Sequence, residues 1–221
     1  MSGHGAAAAR SPLIRLARRF PVTIILSAVI IGAGIVTGTV ARPQHASIVA
    51  AIGVDIDVLR SGRLYVLPVD ALVQAQPGIN PAGALFLVLA LGACEWLAGS
   101  WRTLVAFFGI DILTTFISLG IFSVGAALGS RTLDEYAHTR DLGSSVAATS
   151  CAATAAMLLP PRLRAFAVGG LLAWLIGGAL YSGGQVGIEH AVGAAGGVAL
   201  GLLTRRAQAS RARDETVRGI A

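Results

Sequence analysis

Histidine 190 stands beside Glu189 in the stretch SGGQVGIEHAVGAAGGVALGLL, residues 182–203, which is otherwise apolar enough to enter a bilayer. Ionisable side chains are costly where water is excluded, so a titratable pair there points first to function. A hydroxyl to match it lies in GSSVAATS at 143–150. Ser145 and His190 together can carry out acyl transfer. The imidazole takes the hydroxyl proton, the oxygen attacks a carbonyl, and the free backbone N–H groups at a helix start hold the oxyanion. Gly143 permits a close approach of the chain just ahead of that helix. A Ser/His dyad suffices when packing orients the ring. Glu189 points about 100° around the helix from His190 and is not assigned as a third member. A lone membrane serine more often bonds the carbonyl four residues back, so the reading depends on what brings the two residues together.

The positioning elements follow from composition. The chain of 221 residues is 55% hydrophobic and 13% charged, with a mean hydropathy of +0.74, which excludes a soluble domain and indicates an integral membrane protein. Apolar windows recur at 20–41, 81–99, 103–128, 142–160, 165–183 and 186–204. Each approaches the roughly 17–25 residues of a spanning helix, so the expected fold is an all-α bundle of six transmembrane helices. The first window runs longer than a signal-peptide core and is read as a retained span.

All 17 basic residues are arginine. With the N-terminus inside, Arg10, Arg15, Arg18, Arg19, Arg102 and seven others fall on inner segments, and five fall outside. That asymmetry places both termini in the cytoplasm. The expected organisation is a basic tail at 1–19, the membrane domain at 20–204 and a second basic tail at 205–221. The net charge of +6 is explained by arginine at a membrane surface, and no nucleic-acid partner is implied. Cys94 and Cys151 suggest no disulfide framework, and neither they nor the histidines have metal-ligand spacing, so no cofactor or metal is expected.

The long segment 42–80 is amphipathic enough to lie partly in the interface, and no internal repeat is visible. Ser145 falls roughly 6 Å along the fourth span and His190 roughly 9 Å along the sixth, both counted from the outer side. Gly193, Gly197 and Gly201 on one helix, and Ser144, Ala148, Ala152 and Ala155 on the other, offer small-residue faces for close packing.

At this point the chain resembles the rhomboid intramembrane serine proteases over about residues 58–204. GSS at 143–145 looks like the family's G-x-S motif, HAVGAAGG at 190–197 fits its H-x-x-G-x-x-x-G, and EWLAGS at 95–100 looks like its E-x-x-x-G-S run. SGRLYVLPVDALV at 61–73 falls where the family has a Gly-x-x-Trp-Arg stretch. The resemblance implies Ser145 as nucleophile and His190 as general base. The chain departs from the family elsewhere. Ile79 and Gly83 replace the oxyanion-supporting His and Asn, with Asn80 a possible substitute alongside Gly143. Val146 replaces a glycine, Thr149 an aromatic residue, and Val66 an arginine.

Of the other polar residues, Asp111 reads as a structural hydrogen-bonder near Thr114 and Thr115, or as a proton or ion site. Glu95 is expected to pair with Arg102, Asp141 to cap the fourth helix, and Trp96, Trp101 and Tyr181 to anchor at the interface. Three functions stay open. One is an endopeptidase cleaving single-span membrane proteins in a bacterial inner membrane without a cofactor. The second is a pseudoprotease that binds membrane helices as clients, and the third a small transporter or channel using Asp111, Glu189 and His190 as a polar path.

Overall fold

A computed structural model describes residues 18–39, 42–74 and 81–218, and within them regular structure is helical apart from one antiparallel bridge between Val54 and Asp141. The chain is an all-α membrane protein. Ser100–Ala127, Pro161–Tyr181 and a stretch beginning at Gly184 are long and apolar enough to cross a bilayer, whereas Pro21–Thr37, Ala82–Ala98 and Ser145–Leu158 are apolar but shorter. All six apolar windows are therefore helical, with three of them below spanning length.

The helices in order are α1 (Pro21–Thr37), α2 (Ala46–Ile52), α3 (Ile56–Arg60), α4 (Leu67–Asp70), α5 (Pro81–Ala98), α6 (Ser100–Ala127), α7 (Arg131–His138), α8 (Ser145–Leu158), α9 (Pro161–Ser182) and α10 (Gly184–Arg218). Their outward faces are apolar: Ile25, Val36, Leu128, Phe166 and Leu180 are exposed, while Thr103, Ser118, Ser150 and Thr154 are fully buried. In water this distribution would be unfavourable, but lipid tails solvate the outer side chains, and Thr103, Ser150 and Thr154 find main-chain acceptors inside the bundle.

The centre of the bundle is α8. Nearly all its residues from Val146 to Met157 are buried, and it packs against α5, α6, α9 and α10. Its small side chains make that possible, since Ala147, Ala153 and Cys151 leave room for four neighbours. A π turn in α6 at Val105–Gly109 helps seat it: the carbonyl of Ala106 accepts from Ser150 Oγ at 2.7 Å. By contrast α9 lies at the periphery with no buried residues in its apolar window.

Segment 42–74 folds over one end of the bundle. Asp55 caps α3 by accepting from Val58 N at 2.7 Å, and its second oxygen accepts from Arg140 Nε at 2.9 Å. Val54, Val58, Val66 and Leu67 pack on Leu119, Phe122 and Ala137, forming a core distinct from that around α8. Val66 is wholly buried here, which explains why an apolar residue occupies that position. The bridge from Val54 to Asp141 then fixes the strand of chain that leads into α8.

Several expectations are corrected. Glu95 does not pair with Arg102, whose guanidinium donates instead to the Ala98 carbonyl. The Glu95 carboxylate accepts from Val22 N, Thr23 N, Thr23 Oγ1 and Ser100 Oγ at 2.7–3.0 Å. A side chain at the end of α5 thus supplies the missing acceptors for the first turn of α1 and clasps the start of α6. Glu95→Gln retains one acceptor oxygen but loses the charge, and is expected to cost about 1.5–3 kcal/mol, read as a lower thermal midpoint in micelles. Residues 205–218 are not a separate tail but continue α10 without a break. Asp141 does not cap α8, because Ser144 occupies the N-cap and makes no side-chain capping bond. His138 ends α7, where its ring Nδ1 lies 2.9 Å from an Asp57 carboxylate oxygen.

Candidate functional site

The glycines of α10 set its distance from α8. A Cβ on Gly193 would lie 2.7 Å from Val146 Cγ1, one on Gly197 would overlap the Ser150 carbonyl, and one on Gly201 would lie 2.8 Å from the Thr154 carbonyl. Each glycine meets the residue 47 positions earlier, so the two helices run parallel and in register, with backbones nearly touching. Thr154 Oγ1 donates across the seam to the Gly197 carbonyl at 3.0 Å. The α8 face in this seam is Val146, Ser150 and Thr154, and not the Ser144, Ala148, Ala152 and Ala155 stripe expected from the sequence. Alanine spacing alone did not distinguish the faces, because α8 is surrounded and has small residues on all sides.

Carried back along the helices, this register brings His190 level with Gly143, and Ser145 about 3 Å deeper. Ser145 is the first residue of α8 and is exposed, whereas His190 is buried. The ring Nδ1 lies 2.7 Å from the Val186 carbonyl. A carbonyl can only accept, so Nδ1 carries the proton and Nε2 keeps its lone pair, which is the tautomer a general base requires. No hydrogen bond joins Ser145 to His190 among the described residues.

The start of α8 presents further polar groups. Gly143 has φ of +154°, a conformation that side-chain-bearing residues rarely adopt, which accounts for a glycine there. Gln74, from the end of the described 42–74 segment, donates Nε2 to Ser144 Oγ at 2.5 Å. Its main-chain oxygen accepts from the Gln44 amide at 3.5 Å. Neither glutamine carried a signal in the sequence, since both sit in an apparent loop. Thr149 Oγ1 donates to the Ser145 carbonyl, and Thr149 and Val146 are both buried. Asn80 and Ile79 lie outside the described residues, and Gly83 lies in the first turn of α5.

Behind the serine a cavity is lined by Asp70, Asp111, Asp141 and Glu189, with Gly143 and Val146 on its near wall. Asp111 is not held by the threonines next to it. Thr115 Oγ1 bonds the Asp111 main-chain carbonyl at 3.2 Å, and the buried Thr114 Oγ1 has no partner. Glu189 Oε1 accepts from Gln185 at 3.3 Å. The sequence shows only half of the cluster, because Asp70 lies in the segment 42–80 and Asp141 reads as a helix cap, and only the fold draws both inward.

Burial, reinforced by the Asp111 and Asp141 charges, pushes the Asp70 carboxyl up to about 9, and burial likewise raises Asp141. The folded protein therefore holds a proton on Asp70 that the unfolded chain releases near 3.8, so this group's contribution to stability falls as pH rises from about 4 to about 9. Asp70→Asn removes that dependence. The variant is expected to be more stable than the parent at pH 8 by at least about 1 kcal/mol, or about 2–4 °C in thermal midpoint, with the difference disappearing near pH 4.

No three histidine, cysteine or acidic side chains are arranged to hold one metal ion among the described residues. Comparison with family models, curated proteins and solved structures yields no match to this chain.

Proposed function

We propose that the chain is a rhomboid-like intramembrane serine endopeptidase, built on six membrane-crossing helices with both termini cytoplasmic and its site toward the outer face. The observation that supports this most strongly is the in-register seam between α8 and α10, which brings Ser145 and His190 to neighbouring depths with the imidazole in its basic tautomer. A short α8 is compatible with six crossings. At about 21 Å it is below bilayer thickness, but it is enclosed by protein and its ends need not meet lipid.

In this mechanism His190 Nε2 takes the Ser145 proton as Oγ bonds to the scissile carbonyl carbon. The N–H groups at the start of α8, free of intrahelical partners, receive the oxyanion. Collapse expels the amine with the proton from His190, and water then hydrolyses the acyl ester by the reverse proton path. Substrates are single-span membrane proteins of a bacterial inner membrane, with residues near the cut that destabilise their helix. The chemistry requires neither metal nor cofactor.

A second reading, a pseudoprotease that binds transmembrane helices, is favoured by Gly83 and Val146 at positions where the family resemblance leads one to expect other residues. The absence of a Ser145–His190 hydrogen bond points the same way. Fluorophosphonate labelling of the bilayer-reconstituted protein separates the two. A serine that labels supports the protease, and a folded protein that stays unlabelled supports the helix binder.

A further inference from the structure

An oxyanion at Ser145 needs N–H donors, and the positions where the family resemblance leads one to expect side-chain donors hold Ile79 and Gly83, which have none to give. The main chain meets part of the need. In α8 the first N–H to reach an acceptor is that of Ala148, which donates to the Ser144 carbonyl at 2.9 Å. The N–H groups of Ser145, Val146 and Ala147 have no acceptor among the described residues. An N-cap serine ordinarily occupies one of them, but Ser144 makes no such bond. Its Oγ is engaged instead by Gln74, whose Nε2 donates to it at 2.5 Å.

A carboxamide carries two N–H bonds, and Gln74 uses one of them among the described residues. The other is left for an acceptor at the start of α8. Ser144 Oγ stands four covalent bonds from Ser145 N, which puts Gln74 Nε2 within about 6 Å of that N–H. A single oxygen accepting from both at about 2.9 Å fits between donors so spaced. Two contacts keep the amide there. Gly143 passes beneath it with φ of +154°, and a Cβ at that position would meet Gln74 Oε1 at 3.4 Å. The Gln74 main-chain carbonyl accepts from Nε2 of Gln44, which is buried. A side chain 30 residues upstream thus ties the end of segment 42–74 to the start of α8.

We propose that Gln74 is a catalytic residue whose second amide N–H, together with the main-chain N–H groups of Ser145 and Val146, binds the oxyanion. The assignment rests on the protease reading. As Ser145 Oγ bonds to the carbonyl carbon and its proton passes to His190 Nε2, the C=O π pair moves onto oxygen and is met by these donors. Collapse returns the pair to the C=O bond and expels the amine, which takes the proton from His190.

The test follows fluorophosphonate labelling of the full-length protein in bilayers, in which Oγ bonds to phosphorus, fluoride leaves and the phosphoryl oxygen gathers charge in the transition state. Gln74→Met keeps the length of the side chain and removes the donor. It is expected to lower the maximal labelling rate about 10²–10³-fold, the usual loss for one oxyanion donor, with the half-saturating probe concentration little changed. Gln74→Glu, a carboxylate of the same shape with no N–H to give, is expected to show the same loss and serves should Gln74→Met not fold. Ser144→Ala separates donation from mere support. It breaks the same resting hydrogen bond as Gln74→Met and is expected to lower the thermal midpoint as much, but it leaves the amide in place and labels within a few-fold of the parent. Equal rate losses in Gln74→Met and Ser144→Ala would make Gln74 a prop for the helix start and overturn the inference, as would parental labelling in both Gln74 variants. The protease reading survives either of those results, and it falls together with the inference only if the folded wild type stays unlabelled.

Discussion

Ser145→Ala is expected to abolish fluorophosphonate labelling, and His190→Ala to slow it by about 10²–10⁴-fold, the usual contribution of a positioned general base. Ser144→Ala is the informative control. The two serines are adjacent, but they do different work. Ser144 is buried at the N-cap with its oxygen engaged by Gln74, whereas Ser145 is exposed at the first helical position. Removing the Ser144 hydroxyl forfeits one hydrogen bond, worth about 1 kcal/mol, and leaves the nucleophile in place. Labelling is therefore expected to survive in that variant with at most a modest loss of rate. The opposite pattern, lost in Ser144→Ala and kept in Ser145→Ala, would move the nucleophile by one residue and break the register with His190. His190→Gln adds a further check, because an amide can occupy the ring's space without acting as a base.

The positions of Ser145 and His190 were legible because they depend on local rules. Apolar windows bounded by charges and breakers gave the helices, but residue rise placed His190 about 3 Å deeper than Ser145, whereas the register of the seam places it about 3 Å shallower. The H-x-x-G-x-x-x-G spacing identified which face of α10 lies against a neighbour. What was not legible depends on contacts between distant segments. Glu95 looked like an ion-pair partner for Arg102 because sequence offers near neighbours, while its actual donors on α1 are over 70 residues away. Asp141 looked like a cap because it precedes a helix. The helix begins later than hydropathy suggests, and Asp141 is drawn into a backbone bridge with Val54. Gln74 and Asp70 gave no signal at all, since segment 42–74 has no periodicity that fixes how it folds over the bundle. The fold was thus readable where one helix suffices, and the cavity was not, because four elements must meet to form it.

The seam itself yields the second large effect. Gly197→Leu is expected to cost more than the roughly 1–3 kcal/mol typical of overpacking, and to abolish labelling with it. The reason lies in what the added atoms meet. At Gly193 a Cβ encounters the Cγ1 of Val146 at 2.7 Å, with the Val146 carbonyl farther off at 3.5 Å, so Gly193→Ala displaces a side chain and not backbone and is expected to cost less than Gly197→Leu. At Gly197 it encounters the carbonyl and Cα of Ser150, backbone that is itself fixed by the hydrogen-bonded turns of α8. The helices can then accommodate a side chain only by separating, which breaks the Thr154–Gly197 bond and moves His190 away from Ser145. Glycine is also a poor helix former, so where nothing lies nearby its replacement should help. Gly177 on α9 has open space around its Cβ position, and Gly177→Ala is expected to stabilise by about 0.5–1 kcal/mol. Thermal unfolding of the two variants side by side therefore reads the geometry directly, since helix propensity favours both substitutions and only close approach opposes one. If Gly197→Leu unfolded at the parent's temperature and kept its labelling, α8 and α10 would not touch there, and the depth match between Ser145 and His190 would lose its structural basis.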